Sequence, residues 1–581
     1  MVIKLHNADI DVKSDLGNWK LDYSSDFNGG VETLKITLRS ETKELFPKLR
    51  LKWKQPKIDM QYLWHESRTF ENHIPPCWMG FYESNIAKSI PIMQLSNQKG
   101  KNRYLVAVGE SLRNVLMKAG VYEEDNNIEF DLMLFSVPEA PSDFYEVEIR
   151  IDERDVFYAD AISEAMDFLR KNNPPKSIPA TAFQPIYSTW YNYHQNLFDK
   201  ELEKECAEAI KYGIKTIIVD DGWQTDDNNR GYSFCGDWQI AERRFPNMKN
   251  HVKKIHDMGM SYLMWLSVPF MGEKSKNFEK FKNMLLHFGA TRNTGVLDPR
   301  FPEVREFLIS TYERLVRDYD LDGLKLDFID WFKFVGEDSA IKDDYAGRDI
   351  KSLPLAVDRL MTDVSKHLKA IKDDILIEFR QDYIGSAIQK YGNLLRAADC
   401  PNDIWSNRIR TLRLRLTSEG NAVHSDMLEW HCAESCEIAA LQFINILFSV
   451  PQISIKFSEI PNSHKEMLKF YLDFWNQHKD TLMFGKFRAY QMEAGFPLVT
   501  AESETEKIIA VYGANQRINC DFTKQIYIVN GSADVELVCD NLTVGRKVEV
   551  YNVTGCKIDE FAVSQTLQKI SIPTSGMAII F

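Results

Sequence analysis

The order of apolar and polar residues changes character along this chain, and each texture predicts a different kind of element. Up to about residue 150, short stretches alternate strictly: Glu32-Thr-Leu-Lys-Ile-Thr-Leu-Arg, Glu129-Phe-Asp-Leu-Met-Leu-Phe and Tyr145-Glu-Val-Glu-Ile-Arg-Ile. A period of two belongs to a strand with one face buried and the other in water. Antiparallel strands packed as an N-terminal β-sandwich are therefore expected. A helix is predicted over about Ala159–Lys171, followed by Asn172-Asn-Pro-Pro-Lys-Ser-Ile-Pro. Paired prolines there stop the helix and favour an extended connection.

From about 185 to 480, continuous apolar runs alternate with helical stripes. Leu202, Cys206, Ala209 and Ile210 form one stripe, Gly213 ends it, and Thr216-Ile-Ile-Val follows. The unit recurs as Val252, Ile255 and His256 before Tyr262-Leu-Met-Trp-Leu, and as Val304, Leu308 and Leu315 before Gly323-Leu-Lys-Leu. Strands that are apolar throughout are buried on both faces, as in a parallel sheet covered by helices. Eight are expected: Pro185–Trp190, Thr216–Asp220, Tyr262–Ser267, Gly323–Asp327, Ile375–Phe379, Leu394–Ala398, Ala422–Asp426 and Gln452–Ile455. Eight strand–helix units over roughly 300 residues match a (β/α)8 TIM barrel. A doubly wound open sheet competes, but no G-x-G-x-x-G turn follows any strand.

After about 485 the alternation returns in Lys507-Ile-Ile-Ala-Val-Tyr, Gln525-Ile-Tyr-Ile-Val, Asp534-Val-Glu-Leu-Val and Lys547-Val-Glu-Val-Tyr. Asn530-Gly is a hairpin signal. The expected layout is an N-terminal β-sandwich with linker at 1–175, a catalytic (β/α)8 barrel at 176–484, and a small C-terminal antiparallel β-domain at 485–581.

Composition narrows the function. The chain is 44% hydrophobic and 27% charged, ordinary for a globular protein. A formal net charge of −13 argues against a nucleic-acid partner, which needs a basic footprint, and leaves a neutral substrate such as a sugar open. Nine scattered cysteines read as reduced thiols. Met1-Val-Ile-Lys-Leu-His begins no signal-peptide pattern, and no apolar run is long enough for a membrane span. A cytoplasmic location without membrane association is expected.

Candidate chemistry lies at the strand ends. The second strand runs into Asp220-Asp221-Gly222-Trp223 and the fourth ends at Asp327. Arg380 and Asp382 follow the fifth, Asp399 the sixth, and Asp426 the seventh. In a TIM barrel these ends face one site, and the mutual repulsion of converging carboxylates has to be offset by a metal, a cationic substrate, or acid/base chemistry on a polyol. A metal is the weaker reading. No H-E-x-x-H is present, His424 and His431 lack further ligands, and Cys432 with Cys436 forms only half of a zinc set. No metal and no cofactor are expected. Glycoside hydrolysis instead needs two carboxyl groups about the scissile bond and aromatic faces for sugar rings. Trp190, Trp223, Trp265, Trp331 and Trp405 lie near the strand ends.

Asp220-Asp-Gly-Trp, Gly236-Asp-Trp with Arg244-Phe-Pro, Leu297-Asp-Pro-Arg-Phe-Pro-Glu-Val-Arg and Lys325-Leu-Asp327 together resemble glycoside hydrolase family 36. That family holds bacterial α-galactosidases and the plant raffinose and stachyose synthases. The resemblance implies a three-domain retaining exo-α-glycosidase, most simply an α-galactosidase acting on terminal α-D-galactosyl residues of a carbohydrate substrate. Asp327 matches the nucleophile, and Lys325 a sugar-binding lysine that helps keep it ionised. Asp220 and Asp221 match the pair that holds galactose O4 and O6. Asp399, in Arg396-Ala-Ala-Asp, matches the general acid/base, and Arg396 an arginine beside it. Asp426, in Ser-Asp-Met-Leu, resembles a segment of the raffinose-synthase branch. Trp190, Trp265 and Asp382 are candidate subsite residues.

Two departures stand out. Leu326 replaces the usual Trp, and Glu378-Phe-Arg-Gln-Asp-Tyr-Ile-Gly replaces a Cys- and Gly-rich loop that surrounds the sugar's C2 substituent. Asp403 is an alternative acid, and one of Asp220 and Asp221 is expected to be structural, since neighbouring strand residues face opposite ways. Asp327 is expected to raise the pKa of Asp399 in the free protein. Alternative functions are α-N-acetylgalactosaminidase or another α-glycosidase, α-galactosyl transfer, and sugar binding without catalysis.

Overall fold

The computed structural model describes residues 1–581 apart from Asn172, Pro175, Lys176, Arg230 and Glu419. The expected boundary between 175 and 176 falls on residues outside that description. Before it, two six-stranded antiparallel sheets face each other. Val31–Glu44 shows the predicted alternation, with Leu34, Ile36 and Leu38 turned into a core shared with Leu51, Trp53, Phe130 and Leu132.

The helix Tyr158–Arg170 joins this sandwich to the barrel. Ala161, Ile162, Ala165, Met166 and Leu169 are buried in the barrel's own hydrophobic core. At its end the Arg170 guanidinium donates to Gln389 Oε1 (2.8 Å) and the Thr417 carbonyl (3.0 Å).

Eight parallel strands form the barrel: Ile186–Ser188, Thr216–Val219, Ser261–Ser267, Gly323–Asp327, Leu376–Arg380, Leu394–Arg396, Ala422–His424 and Gln452–Ile453. They pair in sequence order, and the eighth returns beside the first. Bridges His424–Val450 and Leu428–Ile453 link the seventh strand's end to the eighth, so the barrel is nearly closed. All eight stand where the apolar runs put them, because burial on both faces leaves that mark in sequence. Gly323 opens the fourth strand where a Cβ would lie 2.4 Å from the Leu376 carbonyl oxygen, so only glycine lets the fifth strand approach. Between strands three and four the chain inserts a three-stranded sheet: Phe270–Gly272, Leu285–Gly289 and Thr294–Leu297.

After the helix Asn462–Phe484 come a seven-stranded and a three-stranded sheet. Most pairs are antiparallel, but Glu506–Val511 pairs in parallel with Gln525–Asn530, and Arg517–Asn519 with Glu536–Asp540. Asn530-Gly is not a hairpin turn. The chain leaves Gln525–Asn530 there and enters the other sheet. Buried Asn530 pins this crossing: its Nδ2 donates to the carbonyls of Asp534 (2.8 Å) and Ile572 (2.9 Å), and its Oδ1 accepts from Ser532 N (3.0 Å). Tertiary hydrogen bonding has overridden a local turn preference. Among the described residues no helix is long and apolar enough to cross a membrane.

Candidate active site

A cavity of about 340 Å³, mouth included, opens at the C-terminal ends of the barrel strands. It is lined by Trp190, Asp220, Asp221, Tyr232, Trp265, Lys325, Asp327, Phe328, Arg380, Arg396 and Asp399. Of the sequence-predicted site residues, only Asp382 and Asp426 are absent from this lining.

Lys325 and Asp327 are two residues apart on the fourth strand and so share its inner face. Leu324 and Leu326 are fully buried in the hydrophobic core. The departure at Leu326 therefore does not touch the cavity.

Asp327 is held by four donors. Its Oδ1 accepts from Arg380 Nε (2.7 Å), Phe328 N (2.8 Å) and the Tyr383 hydroxyl (3.0 Å). Among the described residues, its Oδ2 accepts only from the Trp265 indole (3.0 Å). Burial pushes this carboxyl up, but Arg380, Lys325 and the Trp265 donor outweigh burial and hold it well below the usual carboxylate range. Trp265 thus serves through its N–H, and Trp223 stands behind it, donating to the Trp265 carbonyl (2.9 Å).

Asp220 and Asp221 both reach the cavity, because they follow the strand in a turn and do not alternate along it. Asp220 accepts from Lys325 Nζ (2.6 Å), and its Oδ1 accepts from Asp221 N (2.9 Å). Asp221 accepts from the side-chain amides of Gln195 (2.7 Å) and Gln224 (2.6 Å). Burial pushes its carboxyl up to about 7 despite those donors. Gly222 makes the turn possible: its φ is +119°, and a Cβ would lie 2.6 Å from Gln195 Cα.

The sixth strand's end is built differently. Arg396, 1% exposed, reaches three acids: Asp399 (2.9 Å), Asp426, and Glu378 (3.5 Å). Among the described residues Asp399 makes this one ion pair, and its side chain is 54% exposed. Burial pushes Asp399 up, yet Arg396, Lys325 and Arg380 prevail and hold it below the usual range. Asp327 acts in the opposite sense and is outweighed. The expected rise in the free protein is thus reversed, because three cations that the sequence scatters converge here.

Asp426 is fully buried and lies behind Arg396, where it also accepts from the Tyr191 hydroxyl (2.7 Å) and Cys400 N (2.6 Å). Its contacts hold Arg396 in place. Asp382 is exposed, and its carbonyl accepts from Ser89 N (2.8 Å). Asp403 caps the helix Ile404–Thr417 through Ser406 N (3.0 Å). Trp405 is 46% exposed and lies against Gly495 and Arg408, not in the cavity.

Sequence reading missed Tyr232, Phe328, Tyr383, Glu378 and the grip of Arg380 on Asp327. Arg380 was visible at a strand end, but its partner lies 53 residues away. The unusual segment that begins at Glu378, within strand five, supplies Arg380 and Tyr383, so it grips the carboxylate at the centre of the site.

The melibiase family model matches residues 163–378, from the joining helix through the fifth strand. Alpha-galactosidase 1 of Pediococcus pentosaceus is 29% identical over 178 residues, 29% of this chain and 24% of the relative. Alpha-galactosidase Mel36A of Lactobacillus acidophilus is 27% identical over 154 residues, 25% of this chain and 20% of the relative. These matches thus span about a quarter or less of the curated relatives' length. Solved structures extend the likeness in fold. The galactosidase domain of the alpha-galactosidase–sucrose kinase AgaSK superposes with a TM-score of 0.66 at 14% identity, covering 99% of this chain and 82% of that one. A GH36 alpha-galactosidase AgaA variant from Geobacillus stearothermophilus, in complex with 1-deoxygalactonojirimycin, gives 0.66 at 14%, covering 99% and 83%. Over residues 163–378 the chain is thus similar to the melibiase family, and over nearly its whole length its fold is like that of these solved galactosidase structures.

Proposed function

We propose that this protein is a retaining α-galactosidase that hydrolyses terminal α-D-galactosyl residues by double displacement. The observation that carries the reading is the pair of unlike carboxylates in one cavity: Asp327 immobilised and ionised, Asp399 half-exposed with one partner. Three donors occupy Asp327 Oδ1, which leaves Oδ2, with its single donor, as the attacking oxygen. Oδ2 forms a bond to the anomeric carbon as the glycosidic C–O bond breaks. Asp399, protonated, gives its proton to the leaving oxygen. Its carboxylate then takes a proton from water, whose oxygen displaces Asp327 and restores the original anomeric configuration.

Asp399 must therefore acquire a proton that the free site disfavours. A bound sugar excludes water from its exposed face, and desolvation raises a carboxyl pKa. Esterified Asp327 carries no charge, so Arg380 and Lys325 are then less neutralised and favour the Asp399 carboxylate for the second step. Asp220, Asp221 and Lys325 offer hydroxyl-binding groups, and Trp190 offers an aromatic face. The related proteins named alpha-galactosidase support galactose as the sugar.

The test is a panel of aryl α-glycosides of galactose, N-acetylgalactosamine and glucose, with NMR of the first-formed sugar. Release of α-galactose is expected. β-Galactose as the first product would overturn the mechanism, and turnover of another sugar alone would overturn the substrate. Transfer to sucrose in place of water would favour the transferase alternative.

A further inference from the structure

The N-terminal sandwich reaches the candidate active site through one buried acid. Glu66 lies in the loop after the sandwich strand Tyr62–Trp64 and is 5% exposed. Its Oε1 accepts from Gln381 Nε2 at 2.7 Å. Gln381 is 2% exposed and sits where the fifth strand's segment meets the sixth. Its Oε1 accepts from Ala398 N (3.2 Å), and its own N–H donates to the Arg396 carbonyl (3.0 Å). One residue thus brackets the segment immediately before Asp399, with its side-chain oxygen and its backbone N–H. The Gln381 carbonyl accepts from Arg380 Nη1 (2.7 Å), the guanidinium whose Nε holds Asp327. Two more ties fasten the same loops: Ser89 N to the Asp382 carbonyl (2.8 Å) and Arg413 Nη2 to the His65 carbonyl (2.5 Å).

We propose that Glu66 is a positioning residue for both carboxylates, acting through Gln381, so that the N-terminal sandwich is a working part of the site. The inference rests on the roles proposed for Asp327 and Asp399. A primary amide has an oxygen and a nitrogen of nearly equal shape, and only its partners choose which way it points. Burial pushes the Glu66 carboxyl up, and its Oε1 accepts both when ionised and when the proton sits on Oε2, so the Gln381 nitrogen faces it and the oxygen turns toward Ala398 N. Without Glu66 only Ala398 N–H orients the amide, and the Gln381 side chain that steadies the backbone before Asp399 loses its hold on the sandwich.

The experiment compares Glu66→Ala, Glu66→Asp and Glu66→Gln with wild type. Glu66→Ala and the too-short Glu66→Asp are expected to lower kcat by about 10²-fold, the cost of a displacement near 1 Å. KM should change little, and the pH limb governed by Asp399 should move. Glu66→Gln keeps an accepting oxygen and is expected to restore most of kcat. Wild-type kcat and pH profile in both Glu66→Asp and Glu66→Ala would overturn the proposal, as would equal loss in all three. If Glu66→Ala fails to fold, the contrast between Glu66→Asp and Glu66→Gln decides. Should wild type itself turn over no glycoside, the proposed function has failed separately. Crystal structures of the variants then decide the positioning: Gln381, Arg380 and Asp399 unmoved in Glu66→Asp would overturn it.

Discussion

The ends of the fourth and sixth strands carry the same functional group in opposite surroundings. Asp327 is buried and takes four hydrogen bonds, one from the last residue of the fifth strand and one from the segment that follows it. Asp399 has one arginine and an open side. A nucleophile has to be ionised and aimed before substrate arrives, so a rigid, cation-rich socket suits it. A group that gives and then takes a proton must change state within each turnover, so few fixed donors and an environment that substrate can alter suit it. In the proposed reaction one barrel provides both, because each strand end has different neighbours.

The largest effect is expected at the closed end. Asp327→Ala should lower kcat on an aryl α-galactoside to below about 10⁻⁴ of wild type while the circular dichroism spectrum and Tm persist. Near-normal turnover would erase the distinction between the two ends.

At the open end the loss should depend on the leaving group. Asp399→Ala is expected to cost about 10²–10⁴-fold on an unactivated disaccharide, and far less on a nitrophenyl galactoside that needs no proton. Equal losses on both would show that Asp399 is not the acid.

Arg380→Gln sharpens the comparison by opening the closed end. A nucleophile must be unprotonated, so activity falls as pH drops through its pKa. In wild type that pKa is held below the usual range. Removing the guanidinium should bring the acid limb of the pH–rate profile upward by about one to three pH units. An unmoved limb would mean that Lys325 and Trp265 suffice.

Asp221 gives a smaller effect, read in stability. Burial raises its folded-state pKa to about 7, so the folded protein binds more protons than the unfolded chain above the ordinary carboxylate value. Its contribution therefore weakens as pH rises through about 7. Asp221→Asn removes that dependence, and its Tm relative to wild type should improve by about a degree or two between pH 5 and pH 8. The smallest effect belongs to exposed Asp382. Asp382→Ala should leave kcat/KM within about twofold of wild type and stability within about 0.5 kcal/mol.

Sequence alone determined the barrel and most of the site's membership. Strands buried on both faces must be apolar throughout, so eight runs marked eight strands, and a parallel barrel brings their ends together whatever the details. Asp220, Asp221, Asp327 and Asp399 were legible as strand-end residues, Lys325 and Arg396 came in through the family resemblance, and all six line one cavity. Local signals failed where a distant partner outweighed them. Asn530-Gly became a crossing between sheets because Asn530 found the carbonyls of Asp534 and Ile572.

Only the tertiary structure decided which charges act on which. Arg380 meets Asp327 across 53 residues, and Gln381 meets Glu66 across 315. These separations leave no periodicity to read. The order of the chain says that a carboxylate stands at each strand end. Its protonation depends on burial and on the sum of neighbouring charges, which fall off with distance in space and not with distance along the chain. That is why Asp399, expected to be raised by Asp327, is lowered by Arg396, Lys325 and Arg380.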